Sequence, residues 1–277
     1  MSAKIRRLVH VLLNYLQSAE FRLYVRNAPD FIRGRRWAEN ARNNLPAAGS
    51  VAPAASGALF GFFERRSEGR GIQKWVQYFT AYERHLHRFV GLEVTLAEIG
   101  IFSGGSLEMW KAYFGGGLSL YGIDIAPETK VYEDDQTRIF IGDQGDPAFW
   151  DRFNAQVKGI DIFIDDGSHD PAHQISTFEE MFPRLNPGAV FICEDVHHEF
   201  NPFAVYVSGL ADRLHAYRPS PINGDYQYGV ESSATNIQSM VESVHVYPYM
   251  IVIEKRGTLV PTLQAPRHGS EWQAYYK

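Results

Sequence analysis

A single cysteine, Cys193, in 277 residues rules out an internal disulfide framework and any multi-cysteine zinc site. No run of about 20 apolar residues occurs, so no segment reads as membrane-spanning. The dinucleotide fingerprint GxGxxG is missing, and there are no internal repeats or sustained heptads. Hydrophobic residues at 45% and charged residues at 21% give the balance of a folded soluble chain, not a disordered one. The net charge of −5 is unevenly spread. Residues 1–45 hold nine Lys or Arg against three acids, a net +6 that leaves −11 for the remainder. An acidic main body argues against a nucleic-acid-binding core, because phosphate contacts need positive surface.

The first 17 residues mimic a signal peptide only loosely: His10 and Asn14 interrupt the apolar run, and no small-residue cleavage site follows. Ile5, Leu8, Val9, Leu12, Leu13 and Leu16 instead predict an amphipathic helix. Such a helix packs on its own domain or a dimer partner, or lies on an anionic membrane. Residues 45–58, uncharged and rich in Pro, Ala, Gly and Ser, predict a linker. The expected organisation is a basic helical arm with linker over 1–58 and one main domain over 59–277. A cytoplasmic homo-oligomer is expected, with peripheral membrane contact through residues 1–45.

From residue 71 the pattern alternates. Residues 71–90 predict a helix with Ile72, Trp75, Val76, Phe79, Tyr82, Leu86 and Phe89 on one face. Strands are predicted over 94–100, 118–125, 137–143, 161–167 and 189–196. Helices are predicted over 106–114, with Ser106 as N-cap, and over 147–157 and 171–185. Alternation of this kind implies an α/β fold with a parallel sheet and helices on both faces, where ligands sit at the carboxyl ends of the strands. Glu98, Asp124, Asp143, Asp165, Asp166, Glu194 and Asp195 all fall at those ends.

Two halves of a site follow. In the first, Gly100, Gly104 and Gly105 join a strand to a helix and let backbone approach a ligand, although a plain structural turn reads the same way. Asp124, 24 residues on, can accept hydrogen bonds from both hydroxyls of a ribose. Asp143 of Gly142-Asp143-Gln144-Gly145 can bond an adenine amino group or simply form a turn. In the second half, carboxylates from Asp165-Asp166 and Glu194-Asp195 converge and suit a hard cation such as Mg²⁺. His169 follows a glycine and can turn back as a general base. A strand-end carboxylate also serves as a helix cap, which would account for Asp165 or Asp195. His197 and His198 read as solvated loop or as substrate contacts, Cys193 as packing, and Tyr226 and Tyr228, in a loop expected over 220–236, as a lid or a plain connection.

The segments EIGIFSGGSLEMWKAYF, YGIDI, GDQGDP, FIDDGSH and FPRLNPGAVFICEDV, in that order, resemble the metal-dependent sugar O-methyltransferases of the macrolide-biosynthesis type. The resemblance covers residues 71–199, with a weaker echo over 241–256 that would supply two last strands. It implies a Rossmann-like class I methyltransferase sandwich with a mostly parallel seven-stranded sheet. It further implies S-adenosylmethionine as cofactor, Mg²⁺ on Asp166, Glu194 and Asp195, and His169 as base. Glu98, Gly100, Gly104, Ser106, Asp124, Asp143 and Gln144 are the candidate cofactor contacts. The expected activity is Mg²⁺-dependent methyl transfer to a sugar hydroxyl, on a natural-product deoxysugar or on a glycan or oligosaccharide. An NAD-dependent oxidoreductase is the first alternative, and the missing GxGxxG speaks against it. A non-catalytic cofactor- or sugar-binding member of the fold is the second, and the intact DDGSH and ED speak against that.

Overall fold

The computed structural model describes residues 19–39, 57–218, 231–266 and 268–271. The helix expected over residues 5–16, most of the linker, and Tyr226 and Tyr228 lie outside the described residues. The chain divides into two units, Met1–Pro53 and Ala54–Lys277. In the first, α1 (Ala19–Glu39) carries Pro29 in its interior.

The second unit opens with α2 (Ala58–Glu64) and α3 (Tyr78–Leu86), followed by β1 (Val94–Ile99), α4 (Gly105–Phe114) and β2 (Leu118–Asp124). Next come β3 (Thr137–Ile141), α5 (Pro147–Gln156), β4 (Ile162–Asp165), α6 (Pro171–Met181) and β5 (Val190–Cys193). The chain then forms α7 (Pro202–Leu214), β6 (Glu231–Ser233), α8 (Asn236–Met240), β7 (Val241–Tyr247), β8 (Met250–Lys255) and β9 (Thr262–Gln264).

Seven strands form one sheet in the order β3-β2-β1-β4-β5-β8-β7. The first five are parallel and β7, at the edge, runs in their direction; only β8, between β5 and β7, is antiparallel. The parallel strands are nearly continuous apolar runs because both faces are covered. On one face Leu96, Leu120, Ile164 and Ile192 pack with Phe79, Tyr82 and Trp110 of α3 and α4. On the other Ala97, Ile123, Phe163 and Phe191 pack with Trp150, Phe178 and Phe203 of α5, α6 and α7. Helices α5, α6 and α7 start alike, with an Asx cap followed by proline. Asp146, Asp170 and Asn201 each accept a first-turn N–H, and the proline that follows has no N–H to leave unpaired.

Three expectations need correction. The helix predicted from residue 71 begins only at Tyr78. Residues 71–77 instead run along the glycine turn, where the Gly71 carbonyl accepts the Gly105 N–H at 3.1 Å. A Cβ on Gly105 would stand 2.2 Å from that carbonyl oxygen, so glycine there permits the close approach. Ser106 is not the N-cap of α4; Gly104, in the left-handed region at φ +75°, takes that place. The stretch over 220–236 is not loop throughout, since it contains β6 and the Thr235 cap of α8.

Candidate active site

Sheet order reverses between β1 and β4, and beyond the carboxyl ends of β1 to β5 lies a cavity of about 600 Å³. Gly100, Ser106, Asp124, Asp143, Gln144, Asp166, His169, Glu194 and Asp195 all line it. Glu98 and Gly104 do not.

The glycine half forms as follows. Gly100 sits at φ +85°, and a Cβ there would fall 1.8 Å from the Asp166 carbonyl oxygen, so glycine keeps the ends of β1 and β4 together. Asp124 accepts the Phe102 N–H on one oxygen and the Ala126 N–H on the other, each at 2.9 Å, which fixes the carboxylate at the cavity wall. Asp143 accepts the Gly145 N–H at 2.8 Å, a local turn that still borders the cavity. The Gln144 side chain is committed elsewhere: its amide donates to Asp165 and Thr177 while its oxygen accepts the Ser168 N–H. Gln144 therefore ties the β3 and β4 loops together. Glu98 is fully buried and accepts from Ser106 Oγ at 2.7 Å and Trp110 Nε1 at 3.1 Å, anchoring the start of α4 beneath the turn.

In the acidic half each doublet splits. Asp165 is buried against Gln144, and burial pushes its carboxyl up to about 6. Asp166, the next residue, faces the cavity. Glu194 is buried, with one oxygen accepting from the Tyr82 hydroxyl and the other from Lys74 Nζ at 3.0 Å. Burial raises Glu194 to about 8 despite the lysine. Asp195, at φ +53°, accepts from Trp75 Nε1 at 2.9 Å and from the Tyr78 hydroxyl at 2.8 Å. His169 Nε2 lies 3.5 Å from the other Asp195 oxygen. Asp166, His169 and Asp195 each offer one ligand atom within 4.8 Å of the others.

Lys74 belongs to this site although no sequence signal singled it out. Its ammonium reaches Asp166 at 2.7 Å and Glu194 at 3.0 Å, and lies 3.5 Å from Glu98. Burial alone would lower its pKa, but the surrounding carboxylates hold it well above the ordinary lysine value. Trp75 and Tyr78 were likewise missed as cavity residues. His197 is not plain solvated loop, since its ring packs on Tyr249 and Trp75 beside Asp195. Cys193 is buried in β5 and its thiol is pushed up by burial, in keeping with packing.

No family model matches the chain. A curated relative, the 8-demethyl-8-alpha-L-rhamnosyl tetracenomycin-C 2'-O-methyltransferase of Streptomyces olivaceus, is 34% identical over 208 residues, 68% of this chain and 53% of the relative. Among solved structures, the MycE methyltransferase of the mycinamycin pathway in complex with Mg and SAH superposes with a TM-score of 0.57. That match is 27% identical and covers 75% of this chain and 56% of the other. The MycE complex with Mg, SAH and mycinamycin VI gives a TM-score of 0.53 at 26% identity, covering 65% and 50%. The chain thus spans about half the length of the relatives it matches. On this sheet order and these likenesses, the chain is a relative of the sugar O-methyltransferases of natural-product pathways, built on the class I methyltransferase fold.

Proposed function

We propose that the chain transfers a methyl group from S-adenosylmethionine to a sugar hydroxyl of a small-molecule glycoside, with Mg²⁺ as the metal. One observation carries this reading: the glycine turn with Asp124 and the carboxylates with His169 open into the same cavity. Both groups fit their donors. Asp124 is held by two backbone N–H groups with lone pairs left for a ribose. Asp166 and Asp195 line the cavity and offer oxygen donors to a hard cation. A relative named for rhamnosyl 2'-O-methylation and a solved relative holding Mg, SAH and mycinamycin VI support the same reading.

The residues divide the work. Asp166 and Asp195 would hold a divalent ion, whose Lewis acidity would lower the proton affinity of a sugar hydroxyl in the cavity. Because Mg²⁺ prefers oxygen donors, the His169 imidazole, its Nε2 3.5 Å from Asp195, is left to take the hydroxyl proton. Asp124 and the Gly100 turn hold the methyl donor across the cavity, which makes the encounter effectively unimolecular. Peripheral contact of residues 1–45 with an anionic membrane is a further part of the proposal, resting on their net +6 charge.

Calorimetric titration of the full chain with S-adenosylhomocysteine, with NAD for comparison, tests the proposal. Micromolar binding of the first and none of the second is expected. Binding of NAD alone would replace the methyltransferase reading with an oxidoreductase one, and binding of neither would remove the cofactor reading.

A further inference from the structure

A group of metal-ligating side chains lies away from the cavity, and none of its members lines that cavity. It forms where α3 crosses the edge of the sheet. β7 and β8 pair with Ser243 opposite Glu254 and His245 opposite Val252. Strand alternation puts Glu254 on the same face as Met250 and Val252, the face that α3 covers with Phe79 and Tyr82. His85 reaches that face from the last turn of α3. His85, His245 and Glu254 each offer one ligand atom within 4.8 Å of the others, and His85 is buried.

Two imidazoles and one carboxylate suit a borderline ion such as Zn²⁺, whereas Mg²⁺ takes oxygen donors. Ligand atoms about 2.0–2.1 Å from a tetrahedral ion stand about 3.3 Å from one another. That spacing falls between the 2.8 Å contact of His85 Nδ1 with Glu254 and the 4.8 Å limit of the group. The other nitrogens are already held. His85 Nε2 meets the Tyr247 hydroxyl and His245 Nε2 meets Ser243 Oγ, each at 2.9 Å, the kind of outer hydrogen bond that orients a ligating imidazole. Both therefore keep Nδ1 for an ion. Arg88 stands 3.8 Å from Glu254, but it is half exposed and donates to the Gly188 carbonyl at 2.9 Å, leaving the carboxylate to His85 and Ser243.

We propose that His85, His245 and Glu254 form a Zn²⁺ site, completed by water, that clasps α3 to the β7–β8 hairpin. Its role is structural, since the site lies outside the reaction cavity. Tyr82 and Tyr78, about one and two turns before His85 on the same helix, hold Glu194 and Asp195 through their hydroxyls. The clasp thus steadies the helix that positions two carboxylates of the acidic half. It is independent of the reaction assigned to the cavity.

Zn²⁺ binding to the full chain, measured by equilibrium dialysis with Mg²⁺ in excess, tests the proposal. Two variants separate this site from the cavity, where Asp166, His169 and Asp195 also stand close together. His245→Ala is expected to lose Zn²⁺ affinity at least tenfold, while Asp195→Asn stays within threefold of wild type. A wild type that binds no Zn²⁺ overturns the proposal, and so does binding that survives His245→Ala but fails in Asp195→Asn. Should His245→Ala not fold, X-ray absorption at the zinc edge of Asp195→Asn with one equivalent of Zn²⁺ supplies the readout. Two imidazole ligands are expected there, and fewer than two overturn the assignment. One equivalent of Zn²⁺ should also raise the urea midpoint of the wild type, and an unchanged midpoint would overturn the clasp.

Discussion

His169 leaves β4 on a turn that costs it an unfavourable backbone, φ +57° in a residue other than glycine. Phe102, Asp195, His198, Phe200 and Tyr249 share that strain, and of these Phe102 and Asp195 line the cavity with His169. Strain of this kind, of order 1–3 kcal/mol per residue, persists where the surroundings over-determine the conformation. The base role makes a direct prediction. On any rhamnoside that the wild type methylates, His169→Ala should lose about 10²- to 10⁴-fold in turnover while Mn²⁺ affinity changes only a few-fold. A variant turning over within a few-fold of wild type excludes His169 as base, and a large loss of Mn²⁺ affinity would make it a ligand instead. The sequence showed the strand-end doublets but not which member of each faces inward. Strand alternation turns Asp165 into the interior and Asp166 to the cavity, and which side chain finds a buried partner depends on neighbours far along the chain. Lys74 was invisible for a related reason. Ile72, Trp75, Val76 and Phe79 keep helical spacing, and nothing local says that the helix starts only at Tyr78.

At the scale of elements, α3 is pinned to the β7–β8 hairpin by one imidazole. His85 Nδ1 meets Glu254 at 2.8 Å and Nε2 meets the Tyr247 hydroxyl at 2.9 Å, with the His245 ring 4.5 Å away. Burial holds His85 below the ordinary value of 6.5, and the neighbouring His245 adds to this. Burial alone would raise Glu254, but the His85 hydrogen bond and the charge of Arg88 outweigh it and keep that carboxyl below its usual range. Both shifts act in one direction. Below pH 6.5 the unfolded chain protonates this histidine before the folded one does, so acidification favours unfolding, and Glu254 extends the loss to lower pH. Above pH 6.5 the His85 contribution is constant. Urea unfolding at pH 7.5, 6.5 and 5.5 should show stability falling with acid, with His85 contributing at most about 1.4 kcal/mol per pH unit. His85→Gln should flatten that slope, and identical slopes for the two proteins would sink the assignment. The hairpin strands were legible only through the family resemblance over 241–256. The α7 helix was not drawn in advance, although Asn201-Pro202 is the same start signal as Asp146-Pro147 and Asp170-Pro171.

Across the whole molecule, charge is the property that local patterns leave unexplained. Residues 1–45 carry a net +6 and the remainder −11, a separation that the α/β domain does not need for its own core. No described helix is long and apolar enough to cross a membrane. An anionic bilayer attracts basic residues by about 1 kcal/mol each near the surface, and the attraction fades over a screening length of about 10 Å at 0.1 M salt. An acidic body would be repelled by the same surface, so contact should depend on the basic segment alone and weaken with salt. Sedimentation with vesicles containing anionic phosphatidylserine is the measurement, comparing the full chain with a chain beginning at residue 46. The full chain should pellet with the vesicles at 0.1 M salt and be released at 0.5 M, while the shortened chain stays in the supernatant. Shortening would also expose any fold defect, so S-adenosylhomocysteine binding of the shortened chain is the control. If both proteins partition equally, the basic segment has no membrane role, and its charge must instead serve packing against its own domain or a second copy of the chain.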